Sequence, residues 1–594
     1  MNNAGRKPIT VVELVQPRCT NRYGIAPCTA SGPSPCYNCP GTCDDIDNLN
    51  TDGSITWRFT SGRPDILWDE ADFSDPDNIV LNPIPCGVTV STSESEINAG
   101  GNIEGKSNLG VTGTVDIGMK DFQTRDLHGD FYKSQRAGVV AGRPPPIVAN
   151  HWALWTARNE LFNEMFLGVY DGFEGEVLSN MRKRVYALDT VNGPNGTGGV
   201  SLKGIDPLRL AGDNRSQFPK TSDLDLFGAL QVDTATVSLF GAEADLTSTF
   251  GNTAERYISI NSEIISYTGY TDEGDGVRAL TGVLRAQLGT TAAEHSDSDP
   301  VQRVGRYENE LAWRVFYDLY VNHTDMPATF LPLTDWDLEG NTYLPTSRIT
   351  RTVVAPKSVA TLAGQVAQQY MFYVWWQPYA QQVKMLAVRP PDTAPTVLTD
   401  EKNLLRGSVL TRDPKARLSQ ITVYYGPKDP FGSETDDDNF SGKYTIINGD
   451  NLGETRVKVI YAPWVERRSQ AIQLASRLLL RYKLTPKFLK VTIDAKDRDI
   501  VTGDVTDIET AAIVDRDGPV TGSRWQVVGS KEVIAGQTYM LNLQTYEYVG
   551  RFAIMLADDA PDFVDATDEE RENGFWFCDD DGKMPDGSEG YQFQ

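Results

Sequence analysis

Along most of this chain apolar residues alternate with polar ones at a period of two, the mark of half-buried strands. SITWRFT (residues 54–60), CGVTVSTSES from Cys86 and LGVTGTVDIGM all carry it. FLGVYDG, MRKRVYALDTV and GVSLKGIDPLRLA continue it, the last two parted by the turn NGPNGTGG at residues 192–199. Short strands punctuated by Gly-rich turns predict a barrel or a sandwich. HWALWTARNELF (residues 151–162) interrupts the rhythm as a helical crossover, its tryptophans assigned to core packing. RYISINSEIISYTGY alternates strongly and, with LTGVLRAQLGTTAAEH (residues 280–295), defines a β module of its own.

A helical repeat follows. ENELAWRVFYDLYVNH places Leu311, Val315 and Leu319 four apart, with Ala312 and Phe316 on the adjoining row, as one apolar stripe. KSVATLAGQVAQQY carries Val359, Leu362 and Val366, with Ser358 as its N-cap. It runs into MFYVWWQPYAQQVKMLAVRPP, which predicts a hairpin turning at Gln377–Gln382 and stopped by Pro390 and Pro391. The Tyr373, Trp375 and Trp376 run is assigned to packing rather than to a sugar platform. From about residue 407 strands return, broken by a helix over residues 466–483 and ended by Pro486. Ile472, Ala475, Leu479 and Tyr482 line that helix's apolar face and Leu478 widens it, while Arg467, Arg468, Arg477 and Arg481 fall mostly off it.

The expected architecture is therefore multidomain and mainly β with α+β parts. The segments are 1–55 (cysteine-rich), 56–212 (first barrel), 213–306 (inserted β module), 307–407 (helix plus hairpin), 408–550 (second barrel with the amphipathic helix) and 551–594 (an acidic arm). A chain of 594 residues exceeds what one core organises.

Charge narrows the function. The formal net charge of −26 argues against a nucleic-acid-binding surface, which needs Lys and Arg in excess. Residues 558–594 hold thirteen Asp or Glu against Arg571 and Lys583, and so read as an extended arm with FWFC (575–578) and the closing YQF as apolar anchors. DDDGKMPDGSEG within it lacks the ligand spacing of a helix–loop–helix calcium site. No run has the length of a membrane span, and MNNAGRKPITVVELVQPR has no signal-peptide core, so the expected compartment is a reducing cytoplasm.

Candidate chemistry is concentrated in one place. Five of seven cysteines lie in residues 19–43, spaced C-x8-C-x7-C-x2-C-x3-C; Cys86 and Cys578 stand alone. Thiols this dense are bridged to one another or hold a metal, and a reducing compartment favours metal. No catalytic motif accompanies them. His128, His151, His295 and His323 are scattered, with His295 expected as a solvent-facing loop residue, and no nucleophile elbow, phosphate loop or zinc-protease helix is present. The expectation is a protein that is not an enzyme.

Several stretches, taken together, resemble the tail hub proteins of long-tailed bacteriophages and gene transfer agents. GIDPLRLA (residues 204–211) resembles the close of their first barrel, and EIISYTGYTDEGDGVRALTGVLRAQLGTTAAEH an insertion common in virion proteins. PKSVATLAGQVAQQYMFYVWWQ, RDPKARLSQITVYYGP and RSQAIQLASRLLLRYKLTPKFLKVTIDAKDRDIVTGDVTDI match, in order, a hub's helix, hairpin and second barrel. The closing DAPDFVDATDEERENGFWFCDDDGKMPDGSEGYQF resembles a tail of the same proteins. The resemblance implies a homotrimer in the virion, at the tail tip or baseplate, assembled in the bacterial cytoplasm. Two barrels from each of three chains would meet the sixfold tail tube and hand over to threefold tip components. Implied partners are a distal tail or tail tube protein, a tape measure protein, a central fibre or spike and other tip proteins. DNA would pass without being specifically bound, and no stable membrane insertion is implied. A receptor-binding or cell-wall-degrading tip protein is the alternative.

The cysteines also resemble those of lambda-like tail-tip proteins, whose [4Fe–4S] cluster uses C-x8-C and C-x6-C pairs. Cys19 with Cys28 and Cys36 with Cys43 match those spacings. The pairs are closer together here, come earlier in the chain, and include Cys39 as a possible substitute ligand. Zinc is the alternative to iron–sulfur, and disulfides or an empty loop remain open.

Overall fold

In the computed structural model of the chain, the strand Pro8–Arg18 is the spine of the first domain. It pairs antiparallel with Gly53–Thr60 on one side and with Phe166–Phe173 on the other. The structure describes residues 7–593 except 22, 32–35, 37–38, 63–76, 94–95, 98–108, 110–112, 126–147, 161, 163–164, 213–215, 235, 242–245, 247–249, 389–394, 449–454, 512, 516–517, 520–522, 535–537, 547–550 and 554–590. The architecture is multidomain and mainly β, with several sheets and few helices.

Beyond Phe166–Phe173 the first sheet continues through Arg182–Asn192, Gly199–Ile205, Thr114–Lys120 and Thr89–Ser93. It curls until Cys86 links its two sides: the Cys86 N–H donates to Thr60 O at 3.2 Å, and its carbonyl accepts from the Lys120 N–H at 2.9 Å. The period-two alternation sends Val12, Leu14, Phe59, Ile117, Leu167 and Leu202 into one core. Helix His151–Arg158 joins that core through Trp152 and Trp155, and it ends sooner than the 151–162 expectation. Buried Gln16 ties strand to helix. Its Oε1 accepts from the indole N–H groups of Trp57 (3.1 Å) and Trp155 (2.9 Å), and its Nε2 donates to Asn159 Oδ1 (2.9 Å).

Arg18 pairs with Gly53 and Pro17 with Ser54, so the cysteine-rich stretch connects two paired strands of the first sheet. Its apolar run VVELV is strand, which proximity to the cysteines had obscured.

The inserted module is a sheet running Glu263–Tyr267, Arg256–Ile260, Pro300–Leu311, Leu224–Leu226, Ser238–Phe240, Val277–Thr281, Gly269–Gly274. RYISINSEIISY is a hairpin that reverses at Asn261, whose φ of 52° is one asparagine tolerates. Strand Pro300–Leu311 runs past residue 306 and pairs again with Arg348–Val353, fastening the module to the helical domain. Glu308–Leu311 are therefore strand, and the helix begins at Ala312 with Leu311 at its N-cap; Val315, Phe316 and Leu319 are buried as the stripe requires.

Helix Val359–Gln369 buries Val359, Leu362 and Val366, and the hairpin Phe372–Gln377/Gln382–Ala387 turns where expected. Ser358 occupies the N-cap position, but its hydroxyl donates to Ala211 O at 3.4 Å instead of capping. Helix Leu333–Tyr343 was not legible, since it buries only Trp336 and Gly340. Gly340 lies under the Trp313 ring, where a Cβ would sit 2.4 Å from ring carbon.

A six-stranded sheet forms the second β domain in the order Thr396–Thr399, Val505–Glu509, Ser523–Ile534, Thr538–Thr545, Lys487–Asp494, Leu404–Arg412. It starts at residue 396, earlier than the 408 boundary. The residues between its strands Leu404–Arg412 and Lys487–Asp494 form another layer, three strands (Phe440–Ile447, Gln420–Pro427, Val457–Ala462) crossed by helix Arg468–Tyr482. Leu474, missed in the sequence reading, is 1% exposed at the centre of that helix's face, and Ile472 lies at its margin. Arg481 also turns inward, donating to Gln526 Oε1 at 2.8 Å, because the second sheet supplies the acceptor.

The two β domains touch directly. The Ile97 N–H donates to Val528 O (2.8 Å) and Asn542 Nδ2 to Glu96 Oε1 (2.8 Å), while the Trp376 indole of the 372–387 hairpin donates to Val185 O of the first domain (2.9 Å). Of the acidic arm only Arg551–Ala553, paired parallel with Tyr591–Phe593, is described; Cys578, FWFC and the acidic loop lie outside the described residues. Among the described residues no helix is long and apolar enough to cross a membrane.

Candidate metal centre

The cysteine loop leaves the first strand at Cys19 and returns at Gly53. With few apolar residues to bury, it is held by polar bonds. Thr20 N–H donates to Asn50 O (3.0 Å), Asn21 Nδ2 to Asn48 O (2.6 Å) and the Tyr23 hydroxyl to Asp44 Oδ2 (3.1 Å). Asp45 Oδ2 accepts from the Thr29 N–H (2.6 Å) and hydroxyl (3.0 Å), and the Thr29 amide with Asn48 holds this carboxyl below its ordinary range. Two tight turns set cysteines at their ends: Cys28 N–H donates to Ile25 O (3.0 Å), and Cys43 N–H to Pro40 O (3.3 Å).

Cys19 and Cys36 are buried, whereas Cys28 and Cys43 are half-buried. Cys28 packs on a small cluster of Tyr23, Ala30 and Cys36. Burial pushes the Cys43 thiol up; the Asp45 N–H, 3.4 Å from its sulfur, opposes this, and the nearby Cys19 and Cys28 reinforce it. The loop thus brings Cys43 near Cys19 and Cys28, and Cys28 against Cys36.

Cys39 has different surroundings. It is 1% exposed, its Sγ–H donates to Arg158 O at the end of the barrel helix (3.1 Å), and Thr42 Oγ1 lies 3.1 Å away. Burial pushes this thiol up as well. Gly41 follows it closely over the helix end, where a Cβ would lie 3.5 Å from Arg158 O.

No disulfide joins any of the six described cysteines. Among the described residues no three His, Cys, Asp or Glu side chains converge into a metal-holding group. In donor type, four thiols on one loop are what a soft metal takes, and burial disfavours the Cys43 thiolate unless a cation offsets its charge.

The three described histidines, His151, His295 and His323, are buried. His295 is 4% exposed, not solvent-facing, because strands distant in sequence enclose it. Its Nε2 lies 2.9 Å from Glu263 Oε2, and Asn261 Nδ2 is 3.3 Å from its Nδ1. Glu263 also accepts from Arg285 Nε (2.5 Å) and Nη2 (2.7 Å) and from the amides of Ala286 (3.1 Å) and Ala293 (2.9 Å). Burial raises that carboxyl, but the Arg285 fork, the amides and His295 outweigh it and bring it down to about 2. Both carboxylate oxygens are engaged, which suits a staple rather than a proton shuttle. His151 stacks on Phe122 (4.6 Å), and His323 sits edge-on to Phe218 (4.8 Å). His128 lies outside the described residues. Tyr373 and Trp376 are buried, as the packing assignment requires.

Sequence reasoning missed the ion cluster of the first barrel. Glu13, 3% exposed, accepts from Arg58 Nε (2.7 Å), the Tyr170 hydroxyl (2.7 Å) and Lys183 Nζ (2.9 Å). A lone glutamate inside the apolar run VVELV was the available signal, but its partners come from three other strands.

No family model and no curated protein matches the chain. Among solved structures it is similar to a tail protein from Neisseria meningitidis (13% identity, 56% of this chain and 92% of that one, TM-score 0.26). It is also similar to the 43 kDa tail protein of prophage MuSo2 from Shewanella oneidensis (9%, 77% and 97%, TM-score 0.29). A third similarity is to prophage tail protein gp18 from Listeria monocytogenes (10%, 56% and 88%, TM-score 0.24).

Proposed function

We propose that this chain is a structural protein of a bacteriophage tail, acting as a trimeric hub. The observation that carries this reading is the pairing of two β domains in one chain, joined through Ile97–Val528 and Glu96–Asn542. These domains occur in the block order that resembles a hub, with the helices and hairpin between them. Three such chains would offer six β domains to a sixfold tube while keeping a threefold lower face. An acidic chain of net −26 suits a lumen through which DNA slides without sticking. The reading is of a non-enzymatic protein, supported by the closed hydrogen-bonding of Glu263 and His295.

In this reading Cys19, Cys28, Cys36 and Cys43 hold the metal, as a [4Fe–4S] cluster in preference to zinc. When bound, the group supplies strong metal–thiolate bonds that cross-link a loop with little core of its own. The chain positions these thiols by the turns at Ile25–Cys28 and Pro40–Cys43 and by the Thr29–Asp45 bonds. Cys39 fastens the loop to the barrel helix. Sedimentation equilibrium of the purified full chain tests the hub reading: a mass three times that of one chain is expected, and a monomer at all concentrations would sink it.

A further inference from the structure

Between the first barrel, the 372–387 hairpin and the second β domain lies a cleft of about 70 Å³ that opens to solvent. In a strongly acidic chain its walls are unexpectedly basic: Arg182, Arg184, Arg498 and Lys531 face the carboxyls of Asp206 and Glu532. Glu532 is engaged, accepting from the hydroxyls of Tyr379 and Tyr539 at 2.8 Å each. Asp206, 3% exposed, accepts from the Leu208 N–H at 2.9 Å, and burial raises its carboxyl to about 7. It is therefore only partly ionised near neutrality.

The cations are less fully engaged. Arg182 donates to the Tyr539 hydroxyl (2.7 Å) and lies over the Tyr379 ring (3.8 Å). Arg184 is 9% exposed; its Nη2 pairs with Asp171, but its Nε–H is buried without an acceptor. Arg498 is exposed and Lys531 half-buried along the same cleft. Arg184, Arg498 and Lys531 line the same cleft, and a guanidinium fork matches the oxygens of a carboxylate or phosphate.

We propose that this inter-barrel cleft is a binding site for a small ligand carrying a carboxylate or phosphate group, held by Arg184 with Arg498 and Lys531. The site depends on the contact between the two β domains and not on the hub or metal reading. Isothermal titration of the full chain at low salt, with inorganic phosphate in one arm and glucuronate in the other, tests it. Saturable binding of at least one is expected, and which one binds assigns the anion. The Arg498→Gln/Lys531→Gln double variant, altered only at residues with some exposure, should bind at least about tenfold more weakly, as loss of charge-assisted bonds implies. Arg184→Lys, which keeps the charge but loses the fork, should also weaken binding. Absence of saturation with both probes, or a double variant that folds and binds like the parent, would overturn the proposal.

Discussion

Cys39 and Cys43 are close in sequence but differ in surroundings, because one thiol is spent on Arg158 O and the other lies near Cys19 and Cys28. Cys39→Ser should keep the metal content of the anaerobically purified protein, since serine can still donate to that carbonyl. Serine at Cys19, Cys28, Cys36 or Cys43 should lose it. Iron and zinc analysis decides, and metal loss in Cys39→Ser alone would move the ligand set. Spacing alone could not separate these thiols; the tertiary position of the barrel helix does. His295 was misread for the same reason, as its partner Glu263 lies in another strand. Asp206 carries a pH prediction. Its carboxyl, raised by burial to about 7, favours the folded state only while protonated, so its contribution falls as pH rises from about 4 through 7. Asp206→Asn should therefore melt higher than the parent at pH 8, with the gain shrinking at pH 5. A gain independent of pH would refute the assignment. Glu263 has the opposite sign: held down to about 2, it stabilises above its unfolded value, and that contribution is lost as pH falls through about 2.

At the scale of elements, alternation was a good guide wherever one face meets a core, as in the strands Gly199–Ile205 and Thr114–Lys120. It failed where both faces are covered. The strand Pro8–Arg18 buries Val12 and Leu14 on one side and Val11 and Glu13 on the other, so it shows no clean period. Helix Leu333–Tyr343 failed differently, having too few buried positions to make a stripe. The joint between first strand and barrel helix rests on Gln16. Gln16→Leu would leave the indole N–H groups of Trp57 and Trp155 without their acceptor, at a cost of roughly 2–4 kcal/mol. Urea unfolding followed by tryptophan fluorescence should show that loss; an unchanged midpoint would mean the helix docks by apolar packing alone.

For the whole molecule, the sequence pattern conveyed a multidomain, mainly β chain with few helices. It did not convey how the domains join, because joints such as Glu96–Asn542 link residues in distant parts of the chain, where no local period reaches. The second sheet's start at Thr396 was hidden likewise, since its first strand pairs with Val505–Glu509. The inter-domain joints hold the two β domains of one chain in contact, and the proposed role at a symmetry transition depends on that pairing. Electron microscopy of intact virions containing this chain, decorated with gold-labelled antibody against it, tests that role most directly. The account predicts label confined to the tail end farthest from the capsid. Label along the tube or on the capsid, or particles that carry none, would contradict it.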